Sequence, residues 1–206
     1  WEVIAPFALA LCVQAIWVTY LLLPAGWEYP WKECMVMASR GWLPLGFLAQ
    51  AAWWVLLAND RPRWSFAAAM ASFVALTAAA VRLYCVPGRR LFGARVGPRP
   101  TQWDHALAFS TSFNASWMLQ IAAINALMMH SEGSAMPSAH AAVTLETAVA
   151  IVAVGAMVLA RDAAWGAAAL WGAVACTAGS PEALVVHMGV LLSGILLFAL
   201  ISERGV

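Results

Sequence analysis

The sequence predicts an all-α protein, a polytopic membrane bundle of about six transmembrane helices that forms one domain over residues 1–206. The composition is the first reason, because 64% of the residues are hydrophobic, only 10% are charged and the mean hydropathy is +0.79. The second reason is that apolar runs near the length of a bilayer crossing recur along the chain. A net charge of +1 with no long basic run gives no support to nucleic-acid binding.

Charged or turn-forming residues divide the apolar runs into six predicted spans. Pro24 and the residues after it close the first span, 59–63 separate the second from the third, and 161–162 separate the fourth from the fifth. Six of the twelve tryptophans fall near these boundaries, as an aromatic belt at the membrane interface requires. The predicted spans are 3–23, 42–57, 65–85, 137–160, 165–177 and 183–201.

Residues 106–129 have two interpretations. The segment is long enough to cross a membrane and carries no charge, but Ser, Thr, Asn and Gln make it much more polar than its neighbours. We favour an interfacial or partly re-entrant segment. In that case the third span ends on the same side of the membrane as the fourth begins.

The stretch 134–140 combines proline, hydroxyl and imidazole groups at the entrance to an uncharged run. If a helix begins at Pro137, the next residues carry the free amides of its first turn, which favour an anion such as phosphate. Ser138 adds a hydroxyl donor, and His140 can exchange a proton near neutral pH. A capped membrane helix with an interfacial histidine explains the same residues equally well.

Residues 135–140, Ala-Met-Pro-Ser-Ala-His, resemble the second signature of the type 2 phosphatidic acid phosphatase superfamily. The similarity is greatest to the inositol phosphorylceramide synthase-like branch. The resemblance implies a six-helix membrane fold and a metal-independent reaction through a phosphohistidine, with no cofactor. It implies a phosphatase-like core over 65–206, preceded by two helices in 1–64.

The resemblance also assigns roles to residues of this chain. His187 corresponds to the nucleophile that attacks phosphorus, and His140 corresponds to the general acid that protonates the leaving group. Ser138 and the amides beside it would bind the phosphoryl oxygens. Arg99-Pro100 matches the end of the first signature. The basic residues that would hold phosphate are Arg89, Arg90, Arg95 and Arg99.

The chain departs from the family pattern at three positions. Phe92 stands where the first signature has a lysine, and Pro181 stands where the third has an arginine. Leu191 replaces the aspartate that would orient the nucleophile, and neutralising the aspartate of a comparable triad lowers the rate by about 10⁴-fold. Because of these departures, the residues are also compatible with a protein that has the family's fold but no catalytic activity.

Two functions of different classes follow. The first is a membrane phosphatase or phosphotransferase that acts on a lipid phosphate ester. The second is a catalytically inactive accessory or scaffold subunit of a larger membrane complex, with partner subunits in place of a substrate. An unrelated transporter-like protein is a third alternative. In each case membrane lipids are partners; the expected location is the bacterial inner membrane, with the site on its outer face.

Glu146 is a further candidate, because it lies about 9 Å beyond His140 along a helix with a rise of 1.5 Å per residue. Carboxylates within a membrane span are candidates for function. A structural hydrogen bond to another helix is an equally good interpretation.

Overall fold

The computed structural model describes residues 11–12, 14–16, 19, 36–84, 102–130, 139–160 and 162–179. Within these ranges the fold is all α-helical and contains no strand, as the sequence predicts. Five main helices follow one another along the chain. They are α1 (Trp42–Ala58), α2 (Pro62–Tyr84), α3 (Gln102–His130), α4 (Ala139–Ala160) and α5 (Ala163–Gly179).

Helices α1 and α2 form a tight antiparallel hairpin. The Asn59 side chain donates a 2.7 Å hydrogen bond to the Val55 carbonyl at the end of α1, and Pro62 then opens α2. Farther along, the Ser72 hydroxyl donates to the Gly46 carbonyl at 2.9 Å. A Cβ at Gly46 would lie 2.7 Å from the Leu76 side chain, so glycine permits this close approach of the two helices.

Helices α4 and α5 form a second antiparallel hairpin around residues 161–162. The Asp162 carboxylate accepts a 3.1 Å hydrogen bond from the Ala164 amide and thereby caps the start of α5. Asp162 is itself buried, so its carboxylate caps α5 out of contact with most solvent.

Helix α3 is the central element and packs against α2, α4 and α5. Ser116 donates a hydrogen bond to the Trp165 carbonyl at 3.3 Å, and Gln120 donates to the Ala168 carbonyl at 2.8 Å. Residue numbers rise together in these two contacts, so α3 and α5 run parallel and α4 runs antiparallel to both. A Cβ at Gly172 would collide with the Gln120 carboxamide, so a larger residue there would require the Gln120 side chain to move and would disturb its hydrogen bond to Ala168.

The hydrophobic core joins all five helices. Leu76 and Met118 are fully buried in its centre, and the Phe73 ring meets Trp165 edge to face with centroids 6.0 Å apart. Two helices, α2 and α4, are long and apolar enough to cross a membrane. This finding supports a membrane location, although the count of such helices among the described residues is below the predicted six.

The prediction for residues 106–129 is wrong. They belong to one unbroken helix of 29 residues, and its polar side chains are buried rather than turned to an interface. Several of them, including Thr111, Asn114 and Ser116, make hydrogen bonds inside the bundle, so a composition typical of an interface can occur in the central helix.

Four of the other predicted spans match helices of the structure, and the remaining two lie mostly or wholly outside the described residues. Spans 42–57, 65–85, 137–160 and 165–177 correspond to α1, α2, α4 and α5. Trp165, expected in the aromatic belt, is instead buried in the core, whereas Trp64 is 68% exposed. Of the first span, residues 11–12, 14–16 and 19 are helical, and the sixth span lies outside the described residues.

Candidate functional site at the start of helix α4

Helix α4 begins at Ala139, directly after the Pro137-Ser138 pair, and its second residue is His140. The His140 side chain is exposed, and its carbonyl accepts a 2.8 Å hydrogen bond from the Thr144 hydroxyl. The imidazole therefore lies in the first turn of a helix, where backbone amides have no intrahelical acceptor. This is the local geometry that an anion site at a helix start needs.

The two sides of α4 have different surroundings. At 100° per residue, His140 falls on the same side as Thr144, Ile151 and Val158, all of which are exposed. The opposite side packs against the rest of the bundle. Its buried residues are Val149, Ala150, Ala153 and Met157. The His140 imidazole thus faces away from α3 and α5.

Glu146 lies on the packed side of α4, about 120° from His140 around the helix axis. The side chain is half-buried, and its Oε2 atom is out of contact with solvent. This position favours the structural interpretation of Glu146, a polar contact between helices, over a role beside His140.

The other candidate residues are not described by the structure. These are the proposed nucleophile, the serine of the second signature and the four arginines: His187, Ser138, Arg89, Arg90, Arg95 and Arg99. The described helices nevertheless show where the segments that carry these residues join the bundle.

The end of α5 and the start of α4 lie at the same end of the bundle, because the two helices are antiparallel. His187 follows Gly179, the last residue of α5, by eight residues, so the chain leading to it leaves the bundle on the His140 side. Gln102 and His130 are the two ends of α3, about 42 Å apart at 1.5 Å per residue. The segment carrying the arginines joins α3 at the end remote from His140.

Sequence reasoning missed a buried network of three carboxamides. Asn114 of α3 donates to the Gln14 carboxamide oxygen at 2.9 Å and exchanges two 3.3 Å hydrogen bonds with Gln50 of α1. Gln14 in turn donates to the Ser110 carbonyl at 3.1 Å. The signal was present, because Gln14 and Gln50 are uncharged polar residues within otherwise apolar spans.

The network satisfies its own donors and acceptors, which makes it a link between helices rather than a binding site. Two other buried side chains of α3 are not satisfied in this way. The Ser112 hydroxyl and the Asn125 Nδ2 group have no hydrogen-bond partner among the described residues.

Comparison with known protein families, curated proteins and solved structures gives no match for this chain. The resemblance to the phosphatase superfamily therefore rests on the signature residues themselves.

Proposed function

We propose that the protein is an integral membrane phosphatase or phosphotransferase that acts on a lipid phosphate ester through a phosphohistidine. The observation that carries the proposal is the position of His140: it is exposed, lies in the first turn of α4 and follows Pro137-Ser138 directly. The resemblance requires a proton donor at this place beside free amides. The proposed location is the bacterial inner membrane, with the site on the outer face.

In the proposed reaction, a ring nitrogen of His187 attacks phosphorus, so that a P–N bond forms as the P–O bond to the leaving group breaks. His140 donates its proton to the leaving oxygen. Water, or an alcohol in a transferase, then gives a proton to His140 and attacks phosphorus. The P–N bond breaks and phosphate or a new ester is released. Ser138 and the first-turn amides of α4 hold the phosphoryl oxygens throughout.

The length of α3 limits how the arginines can contribute to a site at His140. Arg99 precedes Gln102 by three residues, so the backbone between them spans at most about 11 Å. His140 lies toward the other end of α3, whose ends are about 42 Å apart. The phosphate at His140 would therefore be held mainly by amides, Ser138 and any basic residue that the chain brings to that end.

The length of α3 favours the second function, an inactive accessory or scaffold subunit. If Arg99 does not reach His140, the first signature has lost both of its phosphate ligands, because Phe92 already replaces the lysine. Together with Leu191 in the third signature, these changes leave a fold whose helices can pack within a larger membrane complex without turnover.

Activity of the purified protein separates the two functions. The catalytic proposal predicts that the protein hydrolyses a short-chain phosphatidic acid without added metal, and that vanadate inhibits by mimicking five-coordinate phosphorus. His187→Asn should abolish turnover because it removes the attacking nitrogen. His140→Asn should lower the rate by about 10²–10⁴-fold, and least for substrates whose leaving oxygen needs no proton.

The matched control is His105→Asn, because His105 lies in the first turn of α3, at the end of the bundle opposite His140. This variant should retain the wild-type rate. Leu191→Asp should raise the rate by restoring the orienting carboxylate. Turnover no higher than that of a mock preparation, for every phospholipid tried, would overturn the catalytic proposal, and the scaffold function would then predict a partner subunit that co-purifies with the protein.

A further inference from the structure

The turn between α4 and α5 lies beside the middle part of α3 rather than beside one of its ends. The Ser116 hydroxyl bonds to the Trp165 carbonyl, and the two helices run parallel from there. One turn earlier on α3 is Ser112, and three residues before Trp165 is Asp162, which directly precedes α5. Ser112 is about 15 Å from the first residue of α3 and about 27 Å from the last, at 1.5 Å per residue. Asp162 is therefore level with the uncharged stretch 106–129 of a helix that is long enough to cross the membrane.

Side-chain oxygens of α3 face this turn. Ser112, Ser116 and Gln120 follow one another at intervals of four residues, so they lie on one side of α3, and the last two bond to α5. Ser112 is fully buried, and its hydroxyl has no hydrogen-bond partner among the described residues. A buried hydroxyl in this state destabilises the fold, because it has lost its hydrogen bonds to water and gained none. Ser112 thus offers an unused oxygen on the side of α3 that faces Asp162.

Asp162 brings a carboxylate to the same place. Its side chain is 3% exposed, and it accepts one hydrogen bond from the Ala164 amide. An ionised carboxylate has two oxygens with about four acceptor sites, so this cap does not exhaust its capacity. A carboxylate held away from water requires positive charge or hydrogen bonds to compensate it, and within a membrane span such a group is a candidate for function.

The end of α4 adds backbone oxygens. Helix α4 ends at Ala160, two residues before Asp162. The last four carbonyls of a helix have no intrahelical partner, and the helix dipole places a partial negative charge there. The opposing positive end of α5 is partly neutralised, because its Ala164 amide already bonds to the carboxylate. Interrupted helices of membrane transporters use carbonyls at such ends to coordinate small cations.

We propose that the α4–α5 turn binds a monovalent metal cation such as Na⁺. Its ligands are the Asp162 carboxylate, the hydroxyl oxygens of Ser112 and Ser116, and carbonyls at the end of α4. The Ser116 oxygen can contribute because the hydroxyl donates its proton to the Trp165 carbonyl and retains its lone pairs. The cation would join the α4–α5 hairpin to α3, whether or not a reaction takes place at His140.

The charge of the site favours a monovalent ion. One carboxylate balances one positive charge, whereas sites for zinc or calcium use several thiolate, imidazole or carboxylate ligands. In the part of the chain that the structure describes, no three His, Cys, Asp or Glu side chains are close enough together to hold a metal ion.

Thermal unfolding of the purified full chain in detergent tests the proposal. Sodium chloride is exchanged for choline chloride at constant ionic strength, because choline is too large to enter a site between packed helices. A ligand that binds only the folded state stabilises it in proportion to the logarithm of its concentration above Kd, so the Tm should rise with Na⁺ and not with choline. Equilibrium binding of radioactive Na⁺ should saturate at a single ion per chain.

Two substitutions locate the ion. Asp162→Asn retains an oxygen for the Ala164 amide but removes the charge, so it should abolish both Na⁺ binding and the Na⁺ dependence of the Tm. Ser112→Ala should raise the Na⁺ concentration needed for half-maximal binding, because it removes one ligand. The matched control is Ser110→Ala, which should leave binding unchanged. Ser110 is also buried in α3, but its hydroxyl bonds to the Leu107 carbonyl and it lies about 120° from Ser116 around the helix.

Equal Tm values in sodium and choline, with no bound Na⁺, would overturn the proposal and leave Asp162 as a cap of α5 alone. Na⁺ binding that persists in Asp162→Asn would also overturn it, since the ion would then lie elsewhere. If Asp162→Asn does not fold, Ser112→Ala decides the question. An Na⁺ affinity equal to that of Ser110→Ala would place the ion away from this turn.

Discussion

Asn114 is the residue at which three distant parts of the chain meet. Its carboxamide bonds to Gln14, which is 100 residues earlier, and to Gln50, which is 64 residues earlier, and all three side chains are buried. A buried amide that loses its partner costs more than a neutral hydrogen bond contributes, because the remaining group stays desolvated. The network therefore specifies how these segments pair more strongly than apolar packing alone.

Asn114→Leu should destabilise the protein by about 1–3 kcal/mol, because it leaves the Gln14 and Gln50 carboxamides without their common partner. Adding Gln50→Leu should cost less than its separate effect, with a coupling of about 0.6–1.7 kcal/mol between the two sites. Reversible unfolding in mixed detergent micelles measures both quantities. Strictly additive effects of the two substitutions would contradict the hydrogen bonds that join these residues.

At the scale of the helices, four of the five were predictable from the sequence. The predicted boundaries of α1, α2, α4 and α5 agree with the structure to within three residues, because charged and proline-containing turns separate uncharged runs. Helix α3 was not predictable in the same way. Its polar residues resemble those of an interfacial segment, and the partners that satisfy them lie on segments far away in the chain.

An unbroken α3 makes a topological prediction. Single cysteines introduced at Gln102 and at Ser131 of a cysteine-free protein should react with a membrane-impermeant maleimide from opposite sides of the membrane, because 29 helical residues exceed the roughly 20 needed to cross. A cysteine at Ser180 should react from the same side as the one at Ser131, since α3 and α5 run parallel. Labelling of Gln102→Cys and Ser131→Cys from one side would show that α3 does not cross.

At the scale of the whole molecule, the sequence identified a candidate site but could not assemble it. The Pro-Ser-Ala-His stretch predicted a helix beginning at Pro137 with His140 in its first turn, and the structure has α4 beginning at Ala139 with His140 exposed. Which arginines and which carboxylate meet that histidine depends on packing between distant segments. The signature residues carry no information about the length of α3, and that length decides which of them can reach His140.

The bundle predicts that Arg99 contributes little to any turnover. Arg99→Gln should change KM and kcat by less than about twofold, since removing a charge-assisted hydrogen bond to phosphate would instead cost about 1.5–3 kcal/mol, or more than tenfold. Steady-state hydrolysis of the short-chain phosphatidic acid measures this directly, with His140→Asn as the reference for a residue at the site. A tenfold loss on Arg99→Gln would mean that the first signature reaches the phosphate after all.

The carboxamide network also sets an order of events during synthesis. At about 5–20 residues per second, a ribosome needs about 5–20 s to proceed from Gln14 to Asn114. Gln14 lacks this partner throughout that interval, and Gln50 lacks it while the 64 residues that lead to Asn114 are made. The three-way contact of these carboxamides can therefore form only after α3 has been made. A fragment that ends before Asn114 would contain both Gln14 and Gln50 but not the residue that joins them.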